Sequence, residues 1–519
     1  MERWRQRVEG LLGWRRWLLS FALGAAAAAA LPPLNAIPVL LVSFPGLLWL
    51  CETSPRRRDA FVVGWWFGLG HFLIGFYWLA NAFLVDAERF AWMIPIAVVA
   101  LPAVLAVFPA LAVAAQRTIG LRGGGAIFTF AVIWTASEWA RGHLLTGFPW
   151  NLMGYSWTFS VEVLQITAVF GIYGLSLITI ALAGLPATFG DPGARRSSVK
   201  LHLVGVVVMV ALWSYGHVRL AAAPSLAESD VTIRIVQANI AQADKWKPEH
   251  RDRNFRRYLQ MSGAEGFPDL IVWPETAAPY FMSREARRRR AIADILPDGS
   301  FLVTGAPRIS PHSEKDVRVW NSVVAIDRSG DVLAIYDKFH LVPFGEYLPL
   351  RPLLRLLGVD KLVYGPVDYS AGNGPTVLSL GTVPTFGPLI CYEAIFPGAV
   401  VERSVRPSWL LNVSNDGWYG ISAGPHQHFA MARVRSVEEG LPLVRAANTG
   451  VSGVVDSFGR VVARIGLDEA GTVDVPLPHR IESETFFGRF GDLATLCLAT
   501  LVVVLGIIPG VMTRRRSRD

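Results

Sequence analysis

The chain has 519 residues, 52% of them hydrophobic, and a mean hydropathy of +0.37. Values this high exclude an ordinary soluble domain, and the length allows more than one domain, so we expect a membrane protein. The net charge of +8 does not indicate nucleic-acid binding, because the basic residues form short clusters between apolar segments instead of one basic face.

Eight apolar segments are predicted to cross the membrane. They are residues 17–31, 33–51, 61–84, 91–115, 125–139, 163–189, 201–215 and 493–511. Several fall short of the ~20 residues that a ~30 Å hydrocarbon core requires, so their ends are approximate. The first segment follows an arginine-rich start, as in a signal peptide, but further apolar segments come directly after it, which favours an uncleaved helix.

The positions of the arginines indicate how these segments are oriented. Arginines cluster at the amino terminus, after the second, fourth and sixth segments and in the tail, whereas the loops after the first, third and fifth carry few, chiefly Arg89 and Arg141. Positive charges concentrate on the cytoplasmic side of membrane proteins. We therefore predict both termini in the cytoplasm and residues 221–490 outside it.

The outer loop after the fifth segment, residues 138–155, is rich in aromatic residues and begins with Glu138 and Arg141. Aromatic residues commonly anchor a chain at the membrane interface. Charged groups at the end of a span are costly unless they are paired or hydrated. Both an interfacial anchor and a lipid-facing cleft are consistent with this loop.

The polar part of the chain has the pattern of an α/β domain. Short β-branched runs alternate there with helix-like stretches, and its length suffices for one sizeable core. The predicted strands are residues 231–236, 270–273, 301–304, 322–326, 332–336, 388–391 and 410–413, and the predicted helices are 249–261 and 284–295. We predict a membrane domain at 1–220, an extramembrane catalytic domain at 221–490, and a last span with a basic tail at 491–519.

Cysteine usage limits the chemistry of the α/β domain. Of the three cysteines, Cys51 and Cys497 lie in apolar segments, which leaves Cys391 as the one thiol in the polar part. A disulfide framework or a cysteine-rich metal site cannot be built from one thiol. Free cysteines are often simply buried, so Cys391 by itself could be either a core residue or a nucleophile.

Three predicted strands end in residues whose chemistry is complementary. Glu275 follows a buried strand, Lys338 follows a second, and Cys391 follows the apolar run at 383–390. Singly, each has an ordinary explanation as a cap, a surface charge or a core thiol. The chain has only six lysines, however. An acid, an amine and a thiol at strand ends of one domain together indicate a nucleophile with a proton acceptor and a cation.

This pattern resembles the nitrilase, or carbon-nitrogen hydrolase, superfamily, in which a Glu, Lys and Cys triad occurs in this order. The resemblance covers about residues 231–478. Insertion of such a domain before the last of eight membrane spans is similar to the apolipoprotein N-acyltransferase branch, and residues 138–155 and 343–349 also resemble that branch. The resemblance implies an αββα sandwich attached to a multi-span helical membrane domain.

The resemblance also implies roles for individual residues. Glu275 would move protons, Lys338 would stabilise the thiolate and the oxyanion, and Cys391 would carry an acyl group as a thioester. The supporting residues implied in this way are Tyr392, whose backbone amide would be a second oxyanion donor, Glu346 and Glu393 as positioning groups, and Trp246 near the site.

The implied reaction transfers an acyl chain from a membrane phospholipid to the α-amine of a diacylglyceryl cysteine at the start of an apolipoprotein. It implies a monomeric, multi-pass protein of the bacterial inner membrane with its catalytic domain in the periplasm, no cofactor and no nucleic-acid partner. No metal is predicted, because His426 and His428 have no carboxylate or thiol beside them in the sequence and so make a poor ligand set. Residues 350–362 and 418–421 could be lids that touch lipid or ordinary packing segments.

Two other functions remain open from the sequence. A membrane-tethered amidase would use the same three residues but pass the acyl group to water. A transporter or scaffold would place ionisable residues deep in several spans, whereas only His71 lies well inside one, and it would leave the acid, amine and thiol unexplained.

Overall fold

The computed structural model describes residues 1–191, 195–224, 230–310, 317–349 and 368–516. It contains two compact units, a helical unit of Met1–Tyr77, Met93–Ala223 and Thr485–Asp519 and an α/β unit of Trp78–Trp92 and Pro224–Glu484. The segment Trp78–Trp92 lies in the first predicted domain by sequence but packs with the α/β unit, where Trp78 Nε1 donates to Gln427 Oε1 at 3.1 Å. The predicted lid at 350–362 lies outside the described residues.

The helical unit has a helix at each of the eight predicted places. Its α-helices are Glu2–Glu9, Trp14–Ala28, Leu40–Glu52, Arg57–Gly75, Ile94–Leu105, Val107–Ile119, Gly123–His143, Val161–Leu164, Thr167–Gly184, Arg195–Ala221, Phe486–Phe490 and Leu493–Arg516. Short 3-10 helices lie at Ile37–Val39, Met153–Trp157 and Leu185–Gly190. The segment Trp78–Trp92, which belongs to the α/β unit, contains Ala80–Leu84 and Ala87–Phe90.

Some of these helices are long and apolar enough to cross a membrane. Within the described residues they are Ala87–Ile119, Thr167–Gly190 and Arg195–Ala221, and a fourth is added if Arg57–Gly75 and Tyr77–Leu84, which are bent by 53° to each other, form one span. The apolar helices Ile37–Glu52 and Leu493–Val504 are shorter. A helical region with apolar helices is therefore present, and the number of eight crossings stays a prediction.

Small residues allow the helices of this unit to approach closely. A Cβ atom at Gly24 would overlap the backbone of Phe67, and one at Gly70 would overlap the backbone of Phe21. Close contacts of this kind increase the van der Waals packing that stabilises pairs of apolar helices. The helices Trp14–Ala28 and Arg57–Gly75 pair in this way.

The two charged residues of the aromatic loop have polar partners inside the helical unit. Glu138 Oε1 accepts a hydrogen bond from the Met153 amide at 3.0 Å. Arg141 Nη1 donates to the backbone oxygens of Phe148 at 2.6 Å and Trp150 at 2.7 Å. These contacts tie the loop to the end of Gly123–His143, which offsets part of the cost of burying the charges.

The α/β unit contains two six-stranded sheets. The strands are β1 (Thr232–Gln237), β2 (Leu270–Val272), β3 (Phe301–Ile309), β4 (Val319–Asp327), β5 (Val332–Asp337), β6 (Leu378–Leu380), β7 (Val383–Ile390), β8 (Trp409–Ser414), β9 (Leu443–Ala447), β10 (Ser452–Val455), β11 (Val461–Ile465) and β12 (Gly471–Pro476). Their order is β12-β1-β2-β3-β4-β5 in one sheet and β11-β10-β9-β8-β7-β6 in the other. Helices of this unit include Gln242–Lys245, Pro248–Ser262, Ala286–Ala293 and Ala423–Glu439.

The two sheets pack face to face and are covered by helices. One apolar core, which includes Ile235 and Val303 of the first sheet and Phe386 and Leu411 of the second, lies between them. A second core joins the outer face of the first sheet to Pro248–Ser262 and Ala286–Ala293, and a third joins the other sheet to Ala423–Glu439. This is the predicted αββα sandwich, and its two sheets are confirmed.

The strand directions determine where polar residues collect. β1, β2 and β3 run parallel in the first sheet, and β7, β8 and β9 run parallel in the second. Parallel strands are buried on both faces, so their residues are mainly apolar and polar groups lie beyond their carboxyl ends. Glu275 follows β2 and Cys391 follows β7 in this way.

Candidate active site

Glu275 lies on a tight turn directly after β2. The next residue, Thr276, has a φ of 48°, in the left-handed region that residues other than glycine seldom adopt. β3 passes immediately behind this turn at Gly305, where a Cβ atom would overlap the Glu275 backbone and the Thr276 amide. Because glycine has no Cβ atom, β3 can pass this close to the turn that carries the buried Glu275 carboxyl group.

Lys338 lies between two carboxylates and is 1% exposed. Its Nζ is 2.9 Å from Glu346 Oε2 and 4.0 Å from Glu275 Oε1. Asn321, on β4, donates its Nδ2 to Glu275 Oε1 at 2.7 Å and to Glu346 Oε1 at 2.9 Å. One amide and one ammonium thus hold both carboxylates in a fixed arrangement.

The charges of this cluster set the protonation of its members. Burial opposes the charge on Lys338, but the carboxylates of Glu346 and Glu275 outweigh it and raise the pKa of the ammonium above its ordinary value. Burial also raises the pKa of Glu275, while Lys338 acts in the opposite direction. Lys338 is therefore a permanent cation near neutral pH, and Glu275 is a carboxyl group that takes up a proton more readily than an exposed glutamate.

Cys391 begins the short helix Cys391–Ile395 directly after β7 and has a φ of 50°. Burial raises the pKa of its thiol to about 12, the charge of Glu275 adds to the rise, and Lys338 lowers it. Both residues therefore act electrostatically on the thiol. Since only the thiolate is a strong nucleophile, the thiol requires a nearby proton acceptor to react at neutral pH.

A buried ion-paired network holds the backbone of Cys391. His428 Nε2 lies 3.1 Å from the Cys391 carbonyl oxygen, and because that oxygen only accepts, Nε2 donates to it. His428 Nδ1 lies 2.9 Å from Asp416 Oδ1, and Arg445 Nη2 donates to Asp416 Oδ2 at 2.7 Å. Burial acts to raise the pKa of Asp416, but Arg445 and His428 hold that pKa well below its ordinary value.

The reason for predicting no metal at the histidines is wrong for His428. The fold brings Asp416 and Cys391 to it, and the possible ligand atoms of the three residues lie within 4.8 Å of one another. Both His428 ring nitrogens already have polar partners, however, and the guanidinium of Arg445 lies against Asp416. A cation would have to displace this guanidinium, so the residues fit a network that positions Cys391 better than they fit a metal site.

Glu393 connects the segment after Lys338 with the end of β7. Its Oε1 accepts from the Phe339 amide at 2.7 Å, and its Oε2 accepts from the Ile390 amide at 2.7 Å and from the Tyr336 hydroxyl at 2.9 Å. Burial raises the pKa of Glu393 to about 7, and these backbone hydrogen bonds act against the rise. Glu393 thus fixes two chain segments that carry predicted site residues.

The remaining predicted residues differ in burial. Tyr392 is buried with its ring edge against His340 and Phe396. Trp246 is half-buried and directly follows Gln242–Lys245. In the predicted lid at 418–421, Ile421 is 77% exposed.

Sequence reasoning missed three contacts of the site. Asn321 bridges Glu275 and Glu346, and the only sequence signal for it is a polar residue in a largely apolar strand. Lys245, which is 3% exposed, donates to the Glu275 backbone oxygen at 2.8 Å. The sequence signal for Lys245 was the small number of lysines in the chain. His428 had no comparable signal, because its partners are distant in the chain.

Residues 232–483 match the carbon-nitrogen hydrolase family, and residues 23–185 match the apolipoprotein N-acyltransferase N-terminal domain. The two-sheet sandwich and the first of these matches define a carbon-nitrogen hydrolase domain. This chain is also similar to an amidase of the nitrilase superfamily from Nesterenkonia, with 21% identity, a TM-score of 0.34, and coverage of 50% of this chain and 93% of the amidase.

Several relatives are similar over nearly their full length. An apolipoprotein N-acyltransferase from Rhodopseudomonas palustris is 42% identical over 96% of this chain and 95% of its own. One from Bradyrhizobium diazoefficiens is 40% identical over 95% of each chain, and one from Brucella melitensis is 39% identical over 98% of each. The chain therefore belongs to the apolipoprotein N-acyltransferase family.

Proposed function

We propose that this protein transfers an acyl chain from a membrane phospholipid to the α-amine of an S-diacylglyceryl cysteine at the amino terminus of apolipoproteins. The observation that carries the proposal is the similarity, over nearly the whole chain, to proteins named apolipoprotein N-acyltransferase. The buried acid, amine and thiol of the α/β unit supply the chemical groups that such a transfer requires.

In the first half-reaction, Glu275 accepts the thiol proton and the Cys391 thiolate attacks an ester carbonyl carbon of the phospholipid. The negative charge that develops on the carbonyl oxygen is stabilised by Lys338 and by the backbone amide of Tyr392, and one such donor commonly contributes ~3 kcal/mol. The carbon–oxygen ester bond then breaks, and Glu275 returns its proton to the leaving alcohol. A lysophospholipid departs, and Cys391 holds the acyl chain as a thioester.

In the second half-reaction, the α-amine of the acceptor attacks the thioester carbon. Glu275 takes a proton from the attacking nitrogen, the carbon–sulfur bond breaks, and the thiolate is regained beside Lys338. Glu275 then passes this proton to the thiolate, so the products are an amide on the acceptor and the free Cys391 thiol. Glu346, held 2.9 Å from the Lys338 ammonium, keeps that cation in position in both half-reactions, and Glu393 positions the adjoining segments.

The proposed location follows from the chemistry of the substrates. Donor and acceptor are both anchored in a bilayer, and drawing either into water costs ~0.8 kcal/mol for each methylene exposed. We propose a monomeric, multi-pass protein of the bacterial inner membrane, with membrane segments in residues 1–220 and 491–519, both termini in the cytoplasm, and the catalytic domain of 221–490 in the periplasm. The apolar helices of the helical unit support this arrangement.

A membrane-tethered amidase is the less favoured alternative. It would use the same acid, amine and thiol, but it would hydrolyse a carbon–nitrogen bond and require neither a lipid donor nor a lipidated acceptor. Residues 23–185 match the N-terminal domain of apolipoprotein N-acyltransferases, and this match favours the transferase.

A transfer assay with labelled lipid tests the proposed function. Purified protein in vesicles of a phospholipid with a deuterated acyl chain is given a peptide whose first residue is S-diacylglyceryl cysteine. We expect the deuterated chain in amide linkage on the α-amine, in an amount equal to the lysophospholipid formed, as measured by mass spectrometry. The same peptide with an acetylated α-amine is the control and should receive none. Release of free fatty acid without amide formation would instead indicate a hydrolase.

A further inference from the structure

A second buried lysine lies beside the proposed proton acceptor. Lys245 ends the short helix Gln242–Lys245, is 3% exposed, and donates its Nζ to the backbone oxygen of Glu275 at 2.8 Å. Its neighbour Lys247 is exposed and pairs with Asp244 at 2.9 Å. Lysine is almost never fully buried unless it is paired, because removing an ammonium from water is costly. The burial of Lys245 therefore requires a compensating interaction.

The charge balance of the cluster provides that compensation. The Lys338 ammonium is 2.9 Å from Glu346 but 4.0 Å from Glu275, so it mainly neutralises Glu346. One cation between two buried carboxylates leaves a net charge of about −1, which the low dielectric of an interior makes unfavourable. Lys245 supplies a second positive charge at the backbone oxygen of Glu275, the residue whose carboxylate Lys338 neutralises less.

We propose that Lys245 is a positioning residue of the acyl-transfer site, which fixes the main chain at Glu275 and supplies the positive charge that favours the ionised forms of Glu275 and Cys391. The proposal rests on the roles proposed above for those two residues. Lys338, directly after β5, acts on the same two groups, since its charge lowers the pKa of both Glu275 and Cys391.

Because Lys245 loses its charge as the pH rises, its effect on the Cys391 thiol should depend on pH. Burial lowers the pKa of Lys245 to about 7, and the charges of Glu275 and Cys391 act against this fall. Lys245 is therefore protonated below pH ~7 and largely neutral above it, so its effect on the thiol disappears as the pH rises. Two other charged groups, Lys338 and Glu346, also act on Glu275. On the helix that contains Lys245, Asp244 pairs with Lys247 and His250.

The test is the rate at which iodoacetamide alkylates Cys391, measured between pH 5.5 and 9 on the full-length protein in detergent. Mass spectrometry of the peptide that contains Cys391 separates its reaction from those of Cys51 and Cys497. For the unmodified protein we expect the logarithm of the rate to rise with pH and to flatten near pH ~7, where Lys245 loses its charge.

Three variants distinguish an effect of the Lys245 charge from an effect of its packing. Lys245→Met should react about tenfold more slowly than the unmodified protein below pH ~7 and nearly as fast above pH ~8, which corresponds to a thiol pKa about one unit higher in the acidic range. Lys245→Arg keeps its charge, so it should retain the fast rate at low pH and show no flattening. The exposed Lys247→Met is the matched control and should behave like the unmodified protein.

The proposal would be overturned if Lys245→Met lowered the alkylation rate by the same factor at every pH, because such a result would indicate a loss of packing alone. The proposal would also be overturned if the rate profile of Lys245→Arg still flattened near pH ~7. This second criterion applies even if Lys245→Met does not fold. Alkylation requires neither lipid nor acceptor. If the expected profiles are found but the unmodified protein transfers no acyl chain, the inference about Lys245 stands and the proposed transfer reaction fails.

Discussion

The Cys391→Ala protein is expected to lose acyl transfer by at least about 10³-fold while it keeps its fold, because the variant has no atom that can hold the acyl chain between the two half-reactions. The thiol lies at the end of β7, and His428 holds the backbone of this residue through a hydrogen bond to its carbonyl oxygen. Removing the sulfur should therefore leave the surrounding structure in place. The transfer assay with deuterated phospholipid measures the loss, and thermal unfolding measures the stability.

The other two cysteines provide the control for this result. Cys51 is buried in the helical unit and Cys497 is exposed on the helix Leu493–Arg516, and neither belongs to the proposed site. The double variant Cys51→Ala, Cys497→Ala should retain transfer within about twofold. A Cys391→Ala protein that still acylates the lipopeptide at a comparable rate would show that no covalent intermediate forms on this residue.

Glu275→Gln is expected to reduce transfer by about 10²- to 10⁴-fold at neutral pH, which is the range that a positioned general base commonly contributes. The amide can still contact Asn321 and Lys338, but it cannot accept the thiol proton. Since burial raises the pKa of the Cys391 thiol to about 12, very little thiolate forms without this acceptor. The exposed Glu249→Gln in the helix Pro248–Ser262 is the matched control and should leave the rate unchanged.

The pH dependence of transfer provides a second readout for Glu275. Burial raises the pKa of this carboxyl group, so the unmodified protein should lose activity as the pH falls through a value above that of an exposed glutamate. Without the carboxylate, the thiolate must form by loss of its proton to solvent, and its population rises about tenfold per pH unit below the thiol pKa. The deficit of Glu275→Gln should therefore shrink as pH rises, and a deficit that stays constant would argue against a role as base.

The parts of the α/β unit that were predictable are those with strong local patterns. The runs that became β2, β7 and β8 are buried and almost wholly apolar, so their existence and their polar ends could be read from the sequence. β6 and β9 to β12 were not predicted, because they are short and contain glycine, serine or charged residues. Their pairing with neighbouring strands, which local patterns do not encode, determines that they are strands.

The candidate site likewise contains parts that the sequence predicts and parts that it does not. Glu275 and Lys338 each follow a recognisable strand, and they lie 4.0 Å apart because β2 and β5 belong to one sheet. The contact of His428 with the Cys391 carbonyl depends on how Ala423–Glu439 packs on the second sheet, which no local pattern specifies. The apolar helices of the helical unit were predictable from the sequence, but length and composition alone do not decide how many of them could cross a bilayer.

Whether Cys391 carries the acyl group between donor and acceptor can be measured from the mass of the protein itself. Purified protein is incubated with phospholipid alone, a sample is digested to locate any adduct, and diacylglyceryl peptide is then added to the remainder. We expect one acyl chain on the peptide that contains Cys391, stable in buffer and discharged when the lipopeptide is added, with formation of an equal amount of amide. An unmodified Cys391 while transfer proceeds, or an adduct that water removes as fast as the lipopeptide does, would contradict it.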